Sequence, residues 1–173
     1  EKETKASMSG MLKALLTGIF GVFCILSFQF KSYIEPMVVM ITIPFAFIGV
    51  VWGHIVMGLD LSMPSIMGFV SLAGIVVNDS ILLVSFIKIH MARGENITSA
   101  ATLASRERFR AVMLTSLTTI VGLLPLLVER SMQAQILIPL AASIVFGLLA
   151  STVLVLLVVP SLYAILGDFM GLD

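Results

Sequence analysis

The chain has 173 residues, of which 59% are hydrophobic and only 12% charged, and its ten basic residues balance its ten acidic ones. A soluble helical domain needs a polar face on each surface helix, and a composition this apolar does not supply one. Zero net charge, with no basic patch interleaved by aromatics, gives no footing for a nucleic-acid partner.

Charged residues leave five long uninterrupted stretches, 14–30, 36–59, 61–78, 111–128 and 131–167. A helix needs roughly 20 mostly apolar residues to cross the hydrocarbon core. The expected fold is therefore all-α, a polytopic membrane bundle of five transmembrane helices near 11–29, 34–57, 63–88, 109–128 and 136–162. Basic residues orient it. Lys31 lies after the first span, and Lys88, Arg93, Arg106, Arg108 and Arg110 flank the 89–108 connection, which places both on the cytoplasmic side. The chain starts EKETKASMSG, without an initiator methionine or a signal-peptide pattern, and an odd number of spans puts its ends on opposite sides. It reads as a piece of something longer.

The first span carries Gly18 and Gly21 early, Cys24 as a small packing residue, and Phe28, Phe30 and Tyr33 as markers of the cytoplasmic interface. In the second, Pro44 should bend the helix, and Gly49 and Gly53 have the spacing that lets a neighbouring helix approach closely. His54, near the outer end of this span, reads as an ordinary interfacial histidine rather than a proton-relay member.

The third span begins around Pro64 and contains GIVVNDSILLVSF. Ser71, Asn78 and Ser85 recur every seven residues and form a polar line, with Asp79 turned about 100° away from it. Lipid gives such a sector no reason to exist, so this face is expected to look into the bundle. Asp79 lies nine residues from Lys88, about 14 Å along the axis. A charge at helix centre is unfavourable by roughly 2.5 to 3.5 kcal/mol, so the carboxylate needs a partner, a water-filled crevice or a proton. Two readings follow: a group that loads and releases protons, or an acid that holds helices together through hydroxyls. Asn78 either orients the acid, donates to a bound water, or joins helices.

The stretch GENITSAATLASRERF reads as a short interfacial helix with its basic end on anionic headgroups, or as a plain polar connector. In the fourth span Thr115, Thr118, Thr119 and Gly122 form a small-polar stripe. Taken alone it is a packing stripe, its hydroxyls bonded to their own carbonyls. Facing Asp79, it becomes part of a relay. The fifth span is bounded by Pro139 and Pro160, with Ser143, Gly147 and Ser151 as a ridge for a close partner. No HExxH, GxSxG, paired histidines or phosphate-binding glycine loop is present, so an enzyme is not expected and no cofactor is implied.

The segments FQFKSYIEPMVVMITIPFAFIGV, GIVVNDSILLVSFI, RFRAVMLTSLTTIVGLLPL and PLAASIVFGLLASTVLVLLVVPSLYAIL, in this order, resemble transporters of the resistance-nodulation-cell division (RND) superfamily, in particular the hydrophobe/amphiphile efflux pumps. The resemblance covers nearly the whole chain and implies helices eight to twelve of twelve. It further implies a proton-driven exporter of hydrophobic or amphiphilic compounds in the bacterial inner membrane, with this segment contributing to proton coupling and inactive alone. Implied partners are membrane lipid, the N-terminal half and extracytoplasmic domains of the same transporter, two further copies in a homotrimer, a periplasmic adaptor and an outer-membrane channel. Alternatives are a non-transporting structural or regulatory module, or a relative exporting metal, lipid or protein. In the family pattern a lysine and an asparagine stand where this chain has Asn78 and Asp79. The relay is thus either rearranged or includes Asp79 directly. Thr115 matches the family's hydroxyl on the eleventh helix, and Gly74, one turn before the dipeptide, would admit a close neighbour.

Overall fold

The computed structural model describes residues 2–170. Six helices follow in order: α1 (Lys2–Phe30), α2 (Ile34–Met40), α3 (Thr42–Met57), α4 (Met63–Ala92), α5 (Ile97–Val128) and α6 (Met132–Met170). With α2 and α3 taken as one bent element, five helices are long and apolar enough to cross a membrane. The chain is an all-α membrane bundle. Each expected span falls within one of these five elements, and every element but the second extends beyond its span.

Proline chemistry explains the break in the second element. Pro44 has no N–H to give the carbonyl of Met40, and the path bends at Ile41. Thr42 is buried there, and its hydroxyl donates to the Val39 carbonyl at 2.5 Å. Gly58, at φ +64°, ends α3 in the left-handed conformation, with Leu59 N–H bonded to the His54 carbonyl at 2.9 Å. Ser62 and Ser65 then cap the start of α4, with Pro64 in its first turn.

Two expectations about boundaries change. Residues 97–108 do not form a separate interfacial helix: they are the first three turns of α5, which runs unbroken for 32 residues. Neither glycine nor proline interrupts 97–121, and Ile97, Ala100, Ala101 and Ala104 are buried, so packing carries the helix through its charged segment. Pro139 and Pro160 lie inside α6 rather than at its ends. Ser143 sits four residues after Pro139 and donates to its carbonyl at 3.0 Å, alongside a second acceptor on α4.

α6 is the central helix, packed along α3, α4 and α5. Glycines set this approach: a methyl added to Gly49 would lie 2.5 Å from the Ala150 Cβ, and one on Gly68 would lie 2.5 Å from the Leu140 carbonyl oxygen. Added methyls at Gly53 and Gly147 would collide with Phe146 and with Leu72. The expected close approach at Gly49 and Gly53 is thus made by α6, through Phe146, Gly147 and Ala150, while Ser143 of the expected ridge meets Gly68 of α4. α1 lies apart, touching α2 and, slightly, α4.

Candidate functional site

Asp79 sits halfway along α4, half-buried, with Asn78 exposed beside it and Ser80 fully buried behind it. The polar line on α4 does not look into this bundle as expected. Ser71 and Asn78 are exposed, because α3 and α6 pack on the opposite side, where Leu72, Val76 and Leu83 are buried. Asn78 and Gly74 instead border a cleft of about 420 Å³ between α4 and α1. Beyond its own turn of helix, a methyl placed on Gly74 or on Gly122 would meet nothing within 4 Å among the described residues.

Thr115 is exposed on α5, and its hydroxyl donates to the carbonyls of Ala111 and Val112, at 3.1 and 3.0 Å. Thr118 bonds the Leu114 carbonyl and Thr119 the Thr115 carbonyl. These hydroxyls are turned onto their own helix. Among the described residues no hydrogen bond joins Asn78 or Asp79 to Thr115, although α4 and α5 pack together.

One residue of this region was read from sequence only as a membrane anchor. That residue is Arg108, packed against α4. It lies over the Phe86 ring, 5.2 Å from the centroid, and its Nε is buried without a hydrogen-bond partner among the described residues. The signal was present in the spacing: Arg108 precedes Thr115 by seven residues and so falls on the same line of α5. The assembled group is a half-buried carboxylate, a guanidinium held by an aromatic ring, and a threonine stripe, all on a side that α3 and α6 leave open.

Buried polar contacts elsewhere serve packing. Ser80 Oγ lies 2.8 Å from the Val76 carbonyl and 3.1 Å from Thr42 Oγ1, and its one proton serves either acceptor. Ser116 and Thr152 pair at 2.6 Å between α5 and α6. His54, in the last turn of α3, is enclosed by neighbouring helices. It is 2% exposed, donates Nδ1–H to the Val50 carbonyl at 2.9 Å, and meets Ser65 Oγ through Nε2 at 2.7 Å. Ser143 Oγ reaches the Ser65 carbonyl at 2.9 Å, so α3, α4 and α6 join at this end. At the basic end Glu35 accepts from Lys88 at 3.0 Å and from Tyr163 at 2.9 Å. Lys88 also covers the Phe30 ring, which is buried. Among the described residues no cluster of His, Cys, Asp and Glu is able to hold a metal ion.

Comparison with known proteins places this geometry. Residues 1–167 match the AcrB/AcrD/AcrF family. The cobalt-zinc-cadmium resistance protein CzcA of Cupriavidus metallidurans is 32% identical over 142 residues, 82% of this chain and 13% of that protein. The cation efflux system protein CzcA of an Alcaligenes species matches to the same extent. The crystal structure of a heavy metal efflux pump superposes with a TM-score of 0.80 over 94% of this chain and 16% of the other, at 23% identity, which speaks for the fold. The chain thus spans about an eighth of the length of these relatives. The two CzcA proteins overturn the expected subtype: they are a cobalt-zinc-cadmium resistance protein and a cation efflux system, not hydrophobe/amphiphile pumps. The described helices, the family match and the shared bundle lead to one conclusion: this chain belongs to the AcrB/AcrD/AcrF family of RND transporters, as a multi-pass segment of the bacterial inner membrane and not an enzyme.

Proposed function

We propose that this chain is part of the membrane engine of a proton-driven RND exporter of divalent metal cations, with Asp79 carrying the proton. The observation behind the reading is a half-buried carboxylate in the middle of a 30-residue apolar helix, with no hydrogen bond among the described residues and with Arg108 of α5 packed against the same helix. Protonation removes a charge that costs several kcal/mol at this depth and releases Arg108 from its electrostatic partner. Each state then favours a different α4–α5 arrangement, which is what couples proton entry to a conformational step. Asn78 orients the carboxylate, Thr115 offers a hydroxyl once a neighbour draws it from its own carbonyls, and Gly74 and Gly122 leave room for that neighbour.

The cation class rests on the relatives' printed activities, carried by 32% identity over 142 residues. The segment itself gathers no metal ligands among its described residues, so the cargo passes through other parts of the full-length protein. In this reading the five spans are helices eight to twelve of a twelve-helix chain. Three copies assemble, and an adaptor and an outer-membrane channel complete the route.

A structural role for Asp79 is the second reading, favoured by the hydroxyls of Thr115, Thr118 and Thr119 being already satisfied. The test reconstitutes the full-length protein, wild type and Asp79→Asn, into vesicles with a pH gradient, and follows proton flux together with Zn²⁺, Co²⁺ or Cd²⁺ flux. Coupled flux should fall at least tenfold in the variant. Equal coupled flux at matched protein level would remove Asp79 from the relay.

A further inference from the structure

A second cleft, of about 490 Å³, lies between α5 and α6, lined by Phe109 and Met113 on one side and Leu156 and Leu157 on the other, with Ser105 and Arg106 at one end. Ser105, Phe109 and Met113 recur every four residues, so the cleft follows one face of α5. Met113 is two residues from Thr115, about 200° around the helix. The cleft therefore opens away from the threonine stripe, on the side left to the membrane if the stripe faces the other helices of the transporter.

Charge distinguishes this cleft from an ordinary apolar seam. α5 carries no charge from residue 111 to its end at Val128, so Arg106 and Arg110, one turn apart, stand at the level of the headgroups. Both are exposed, and neither takes part in a hydrogen bond or ion pair among the described residues. The intervening acid is engaged elsewhere: Glu107 pairs with His90 on α4 at 3.2 Å. Ser105 Oγ has no hydrogen-bond partner among the described residues. Two free guanidiniums thus stand above an apolar trough that starts beside them.

We infer that this cleft is a binding site for one anionic glycerophospholipid. The phosphodiester lies on Arg106 and Arg110, whose planar donors suit phosphate oxygens, and one acyl chain lies along Phe109, Met113 and Leu157. A zwitterionic lipid fits the trough equally well but brings its own cation beside the arginines. Selectivity for the anionic headgroup is about fivefold per arginine. The inference depends on membrane placement and not on proton coupling, so a failure of the Asp79 test leaves it standing.

Native mass spectrometry of the delipidated full-length transporter, titrated with dioleoylphosphatidylglycerol or dioleoylphosphatidylcholine, tests it. Wild type should retain one phosphatidylglycerol per protomer beyond its phosphatidylcholine level. Arg106→Gln with Arg110→Gln should lower that preference tenfold or more while leaving phosphatidylcholine binding unchanged. Leu157→Trp, at a side chain 63% exposed, should fill the trough and lose the bound lipid with either headgroup. Undiminished phosphatidylglycerol preference in the double variant would overturn the assignment, as would an adduct that survives Leu157→Trp.

Discussion

Both carboxylate oxygens of Glu35 are occupied, one by the Tyr163 hydroxyl and the other by the Lys88 ammonium, and the side chain is only 14% exposed. Tyr163→Phe keeps the ring and removes one donor to a charged acceptor, a loss of about 1.5 kcal/mol. Lys88→Met should cost more, because it leaves the carboxylate without its cation and uncovers the Phe30 ring. Denaturation midpoints in micelles, ranked wild type, Tyr163→Phe, Lys88→Met, would bear this out, and an inverted order would contradict it. Glu35 lies 53 residues from Lys88 and 128 from Tyr163, so no local pattern announced the cluster. Asp79, by contrast, was legible because a carboxylate in a long apolar run is costly wherever the run folds. Arg108 was obscured by its charged neighbours, which made a surface anchor the simpler reading.

At the scale of elements, glycine decides which helices belong together. Gly53→Ala and Gly147→Ala each drive a methyl into the α3–α6 or α4–α6 seam, and each should cost about 1 to 3 kcal/mol as overpacking. Gly18→Ala and Gly21→Ala, whose added methyls meet nothing within 4 Å, should be neutral or stabilising by up to about 1 kcal/mol through helix propensity. A common unfolding shift for all four would contradict this division. The spacing of Gly49 and Gly53 announced a close contact, although the identity of the partner helix required the structure. Thr42→Val should cost about 1 to 2 kcal/mol, since its hydroxyl serves a carbonyl at the bend and accepts from Ser80. An unchanged unfolding midpoint would show that another donor replaces it. The bend itself was legible from Pro44. The unbroken α5 was not, because a charge cluster reads as a boundary while the alanines that bury its first turns give little hydropathy signal.

For the whole molecule, the basic residues around Arg93–Asn96 and at Lys31 predict that this end of the bundle is cytoplasmic. Ser99 is exposed near the start of α5, so Ser99→Cys, in a full-length protein with its other cysteines replaced, should resist an impermeant thiol reagent in intact cells and react after permeabilisation. Labelling in intact cells would invert the topology. Five spans were legible because apolar length is a property of the chain alone. The proposed cargo class was not, since the described residues gather no cluster of metal ligands and only relatives speak to it.

The loose attachment of α1 has a practical consequence. Among its described residues only Leu26 and Phe30, near its end, are buried, and it joins the bundle through an elbow at Lys31, whose φ is +53°. Nearly all the shape of the other helices is thus held without it. In the full-length protein, a gene split between Ser32 and Tyr33 should therefore yield two polypeptides that reunite in the membrane, the first ending with α1 and the second a glycine-locked bundle that waits in its final form. Variants of α1, carried on the first piece, can then be screened in trans against an unchanged bundle.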